Sequence, residues 1–272
     1  MIDGWIQVRQ LLQRTAGRNP LPAGTLAVGV GLLVAGASTY GFLVLAARAL
    51  DEVEYARLSV LWALVLLVGP GFFVPLEQEA ARAVASRRAR GLGGGPALRR
   101  AALLGSGFVA LLVVGATVTR GPLLDRLLDG DVALFAGFLI SLGGYFTIHL
   151  ARGALSGNGR FRAYSTSLAA EGLVRLGACL VLAVAGVASA GPYGLALGLA
   201  PFAAVALALR GERHIAQPGP EAPWSELSTV LGWLLVSAVL AQLLINAGPL
   251  AVKLLATEAE VAVAGRFLAA LI

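Results

Sequence analysis

Residues 152–187 read RGALSGNGRFRAYSTSLAAEGLVRLGACLVLAVAGV, and the reading of this stretch decides the fold. A short basic turn containing glycines leads into a long apolar run that carries Glu171 and Arg175 about a third of the way along. At i and i+4 on a helix the two side chains share one face, with the acid on the N-terminal side, the favourable order for an ion pair. On a soluble helix such a pair is a solvated ornament. Inside a bilayer each charge costs roughly 2.5–3.5 kcal/mol at mid-depth on insertion scales, so a charged pair there marks either structure or function.

Composition puts the stretch in a membrane. Of 272 residues, 58% are hydrophobic and 13% charged, against about 25% charged in an ordinary soluble domain. Mean hydropathy is +0.81. The 35 glycines fall largely within apolar runs, as expected where small residues let membrane helices approach closely. The net charge of +6 is carried almost wholly by arginines in the connections, a topological signal that implies no nucleic-acid partner. Cys179 is the single cysteine and forms no internal disulfide. Residues 1–24 pair basic with apolar positions. The following apolar run exceeds a signal-peptide core, so this segment reads as a cytoplasmic amphipathic helix at the interface.

A span needs about 20 apolar residues. On that criterion spans run from Thr25 to Leu50, Leu58 to Leu76, Ala101 to Thr119, Val132 to Leu150, Tyr164 to Val187, Tyr193 to Leu209 and Leu227 to Leu255. An eighth begins near Val261 and is still apolar at Ile272, suggesting C-terminal truncation. The second and fourth connections, holding Arg87, Arg88, Arg152 and Arg160, alternate with acidic or nearly uncharged ones such as Asp51–Glu54. By the positive-inside rule the N-terminus is cytoplasmic. The Pro-rich connection with Pro218, Pro220 and Pro223 reads as a bundle boundary. After it, Glu258 and Glu260 echo Glu52 and Glu54, a faint internal repeat. The predicted architecture is all-α and polytopic: a six-span bundle (25–210), a cytoplasmic linker (211–226) and the first two helices of a second, parallel repeat (227–272).

No sequence feature points to an enzyme. Two histidines and one cysteine give no metal-ligand spacing, no phosphate-loop motif occurs, and no cofactor is implied. The informative groups are polar residues within or at the ends of spans. Glu171 and Arg175 lead; Glu77 ends the second span, and Gln242 and Asn246 form an i,i+4 pair in the seventh. Lys253 lies near that span's outer end, and Arg152 with His149 ends the fourth at the inner interface. Gly69-Pro70, Pro75, Pro201 and Gly248-Pro249 are expected to interrupt their helices, tolerable where neighbours or a cavity satisfy the freed carbonyls.

Four segments carry a family resemblance. RALDEVEYARLSVLWALV (48–65), PLEQEAARAVASRRAR (75–90), the opening stretch from Arg152, and AGPLAVKLLATEAEVAVAGRF (247–267) resemble the polysaccharide flippases of O-antigen and capsule type. These belong to the multidrug/oligosaccharidyl-lipid/polysaccharide exporter superfamily. The match departs at Ala56, where that family has glycine. The resemblance implies a multi-pass protein of a bacterial plasma membrane. Its cargo would be an undecaprenyl-pyrophosphate-linked oligosaccharide, moved from inner to outer leaflet by alternating access between two bundles. Its partners would be membrane lipids and other polysaccharide-assembly membrane proteins. Arg175, Glu171, Arg152 and Lys253 would line the cavity. A cation-coupled small-molecule antiporter of the same fold, and an inactive fragment or scaffold, are the alternatives. Glu171 is the one acid deep enough to couple a cation, though the adjacent Arg175 would favour its ionised form.

Overall fold

A computed structural model describes residues 24–227 and 230–255 of the chain; side chains are described except at residue 230 and at residues 247–250 and 252–255. The molecule is built from long helices: α1 (Thr25–Ala49), α2 (Glu52–Ala89), α3 (Gly95–Val118), α4 (Val132–Gly157), α5 (Phe161–Val184), α6 (Ala190–Ala208) and α7 (Val230–Leu255). No strand occurs among the described residues. Helices α1 to α6 are each long and apolar enough to cross a membrane, so the chain is an all-α, multi-pass membrane protein. Residues 1–23 and the expected eighth span lie outside the described residues.

Caps set where the helices start. The Asp51 carboxylate accepts from the Glu54 amide to open α2, and Asp131 accepts from the amides of Ala133 and Leu134 to open α4. Each satisfies backbone donors that the first helical turn leaves unpaired. The α2–α4 end is further tied by Glu54, which receives the Ala190 amide at 2.7 Å and Arg57 at 2.5 Å, while Arg57 reaches Asp129 at 3.3 Å. We call this the acidic end and the opposite one, rich in arginine, the basic end.

Helix α2 departs most from expectation. The predicted span stopped at Leu76, but the helix runs unbroken for 38 residues through Pro70 and Pro75, about 57 Å at 1.5 Å per residue. That is far longer than a hydrocarbon core of about 30 Å. The turns bearing Arg82, Arg87 and Arg88, expected in a connection, are helical. Pro201 likewise lies within a continuous α6. Proline removes one ladder bond and crowds the preceding turn, a local cost that flanking helix packing offsets.

Helix α2 is the axis of the molecule, packing on α4 along one side and α7 along another; α4 also packs on α6, and α5 sits between α1 and α6. The core follows this axis, with Leu58, Leu61, Phe73, Leu76, Leu134, Leu142 and Tyr193 all essentially inaccessible. The α4–α6 contact is a glycine seam. A Cβ on Gly137 would lie 2.8 Å from the Gly194 backbone, and one on Gly198 would lie 2.7 Å from the Gly137 carbonyl. Such close backbone approach is how membrane helices gain packing when burial from water contributes nothing.

Candidate functional site: a buried arginine cluster

Four helices bring polar groups together inside the bundle. On α5, Tyr164, Ser167, Glu171 and Arg175 repeat at three- and four-residue steps and so share one face. On α4, Tyr145, His149 and Arg152 do the same. Helix α1 supplies Thr39 and Phe42, and α2 supplies Trp62 and Glu77.

Arg152 is the first correction to the sequence reading. The sequence places it in the fourth connection, just past the inner end of a span; it lies inside α4, with only 7% of its side chain exposed. Its Nη2 donates to Glu171 Oε2 at 2.8 Å and to the Ser167 carbonyl at 3.2 Å, and its Nε donates to Ser167 Oγ at 3.1 Å. The second correction follows. The Glu171–Arg175 contact is long, 3.8 Å at closest, so the primary partner of Glu171 is Arg152 on the neighbouring helix. The Tyr145 ring lies 6.0 Å from that of His149, one turn away on α4.

Arg175 is held differently. Its Nη2 donates to Thr39 Oγ1 at 2.6 Å. Its guanidinium lies 4.8 Å from the Trp62 ring centroid and 5.6 Å from that of Phe42, and these two rings stack at 5.5 Å. The aromatic faces give a desolvated cation partial compensation. The side chain is 6% exposed, and its Nε is buried without a hydrogen-bond acceptor. Two guanidiniums therefore face one carboxylate in a low-dielectric setting, with a donor left over.

Glu77 forms a second node, nearer the basic end. The sequence places it at the end of a span; the helix continues past it to Ala89, and its side chain is largely buried about two thirds of the way along α2. Its Oε2 lies 2.6 Å from His149 Nδ1, and its Oε1 accepts from the Tyr164 hydroxyl at 2.9 Å. His149 and Arg152 are one turn apart on α4, so the two nodes adjoin. Glu79, two residues on, is buried against Arg82.

Gln242 and Asn246 do not join the cluster. They bond to each other, Asn246 Nδ2 donating to Gln242 Oε1 and to its carbonyl, both at 3.0 Å. The Gln242 stem lies beside Gly71 of α2, so Gln242 packs against the first bundle. The Lys253 side chain lies outside the described residues. Among the described residues no group of His, Cys, Asp and Glu is arranged to hold a metal ion. Sequence reading overlooked Tyr145, Tyr164, Ser167, Thr39 and Trp62. The first three carried a usable signal, since each falls on the face already marked by His149, Arg152 or Glu171.

The helices and their packing define a class, the all-α polytopic membrane bundle, and comparison with solved structures agrees on the fold. The chain is similar to a MOP superfamily transporter from Pyrococcus furiosus, at 12% identity and TM-score 0.55, over 82% of this chain and 51% of that one. It is also similar to the MATE transporter VcmN of Vibrio cholerae in its bent form, at 19% identity and TM-score 0.57, over 91% of this chain and 62% of that one. The chain thus spans about half to three fifths of the length of these transporters and shares their fold. No family model and no curated protein matches the sequence.

Proposed function

We propose that this chain is part of a membrane transporter that moves an anionic, amphipathic cargo, namely a lipid-linked oligosaccharide carried on a pyrophosphate, from the inner to the outer leaflet. The supporting observation is the surplus of buried cation. Arg152 and Arg175 outnumber Glu171, and the Nε of Arg175 has no acceptor. A buried guanidinium left partly unsatisfied is expensive, and a phosphate oxygen is the acceptor its planar fork suits best. In this reading Arg175 holds the headgroup, Arg152 keeps Glu171 from neutralising Arg175, and Trp62 with Phe42 fixes the guanidinium plane. Cargo release follows when the two bundles rearrange and water reaches the cluster. Because the chain covers only part of its structural neighbours, a second bundle beyond the described residues belongs to the proposal.

The test is accumulation of lipid-linked sugar on the inner leaflet after deletion of the gene. Wild type should relieve it and Arg175→Ala should not. Relief by both Arg175→Ala and Glu171→Ala removes the buried cluster from the mechanism.

A second reading rests on a separate observation. The Glu77–His149 pair, bonded at 2.6 Å and joined by Tyr164, is the kind of buried node that a proton-coupled small-molecule antiporter would use, and the structural neighbours are equally consistent with that activity. Drug or dye efflux from vesicles that is abolished by Glu77→Gln but indifferent to Arg175→Ala would favour it.

A further inference from the structure

The connection between α6 and α7 reads from the sequence as a Pro-rich linker at a bundle boundary, yet it is bonded along its length to the bundle that precedes it. From its α6 end onward, Glu212 meets Arg160 at 3.6 Å, and the Ile215 carbonyl accepts from Asn158 at the end of α4 at 3.0 Å. The Gln217 carbonyl then accepts the Gly95 amide at 2.8 Å. At Pro218 the backbones touch so closely that a Cβ on Gly93 would lie 2.0 Å from its carbonyl oxygen. The Ala222 carbonyl accepts from Arg100, whose guanidinium also stacks on Trp224 at 4.7 Å. The connection ends against α2, where Arg82 bonds the Glu226 carbonyl and Ala83 packs with Ala97, Ala222 and Leu227.

Arg87 is the pin. It is 1% exposed and donates to the Gly93 carbonyl, the Pro220 carbonyl and both oxygens of Glu226, at 2.9 and 3.1 Å for the last two. If the connection lifted, Arg87 would lose Pro220 and Glu226 and keep only the Gly93 carbonyl of these acceptors. Stripping one partner from a buried ion pair is strongly unfavourable because the other charge stays unpaired.

We propose that residues 211–227 are a strap belonging to the first bundle, which stays closed through the working cycle, so that motion of the following helices begins beyond Leu227. The claim about motion rests on the transporter reading; the claim that the strap is fixed does not.

The experiment places spin labels at Arg99→Cys on α3 and Glu221→Cys on the strap, in a chain freed of its single cysteine by Cys179→Ala. Both positions are exposed and flank one hollow of about 120 Å³. In lipid vesicles the distance distribution should be single and narrow. It should be unchanged by an imposed pH gradient or by added undecaprenyl pyrophosphate, and it should broaden in Arg87→Ala. Glu226→Gln, which keeps the shape and removes the charge, should broaden it less and serves if Arg87→Ala does not fold. A broad or two-peaked distribution in the otherwise unmutated chain overturns the strap, and a narrow one that survives both substitutions overturns Arg87 and Glu226 as its pin. A narrow distribution that responds to both, in a protein that moves no cargo in any assay, upholds the fixed strap and removes the transporter reading instead.

Discussion

Arg152, Glu171 and Arg175 are enclosed, and their energetics are asymmetric. Replacing Arg152 by alanine leaves Glu171 with only the distant Arg175, and breaking one side of a buried pair costs about 3–5 kcal/mol. Thermal unfolding in detergent should therefore show Arg152→Ala as severely destabilised, with the Arg152→Ala/Glu171→Ala double variant recovering much of the loss. Arg175 should behave otherwise. Arg175→Lys keeps the charge but loses the flat stacking on Trp62 and the fork geometry, so it should fold well and export poorly. Equal export by Arg175→Lys and wild type would remove the stacked geometry from the mechanism. The sequence showed that charges lay within a span, but not which charge meets which. Helical spacing proposes Arg175 as the partner of Glu171, whereas the closer contact is with Arg152, nineteen residues earlier on another helix. Pairing between helices leaves no local periodic trace, and an arginine beside a glycine-rich turn looks like loop until its carboxylate is located.

At the scale of helices, the α4–α6 seam is an exacting contact. Gly198→Val would drive a branched side chain into the Gly137 carbonyl and Ile140. Overpacking of this kind costs about 1–3 kcal/mol, and the variant should unfold at lower temperature. Gly177→Ala on α5 is the matched control, since nothing lies near its added Cβ; removing a helical glycine stabilises by about 0.5–1 kcal/mol. If the two variants unfold at the same temperature, the seam is not what holds α4 to α6. Helix existence was legible because apolar runs of membrane length admit little else. Helix ends were not. The span rule counts only the hydrocarbon thickness, and α2 continues beyond it as a helix because Arg87 finds acceptors in the Gly93 turn and the strap. The prolines misled for a similar reason, since flanking contacts carry the helix past them.

For the molecule as a whole, the charge pattern of the connections expects the end carrying Arg87, Gly91 and Glu221 to face the cytoplasm. A cysteine at Gly91 should be blocked only by reagents that cross the membrane, and one at Gly130 by impermeant reagents in intact cells; the reverse pattern would invert the topology. The order of chain synthesis carries one further consequence. Helix α1 packs chiefly on α5 and scarcely touches α2, and its Thr39 meets Arg175 across 136 residues of chain. At a synthesis rate of about 5–20 residues per second, α1 waits roughly 7–27 s in the bilayer before its docking partner has been made. Arg152 waits only about 1–4 s for Glu171 by the same rate. Helix α1 is therefore made before the other described helices yet finds its seat only once α5 exists, and nascent chains stalled before α5 should present α1 to insertion factors or proteases as a lone helix.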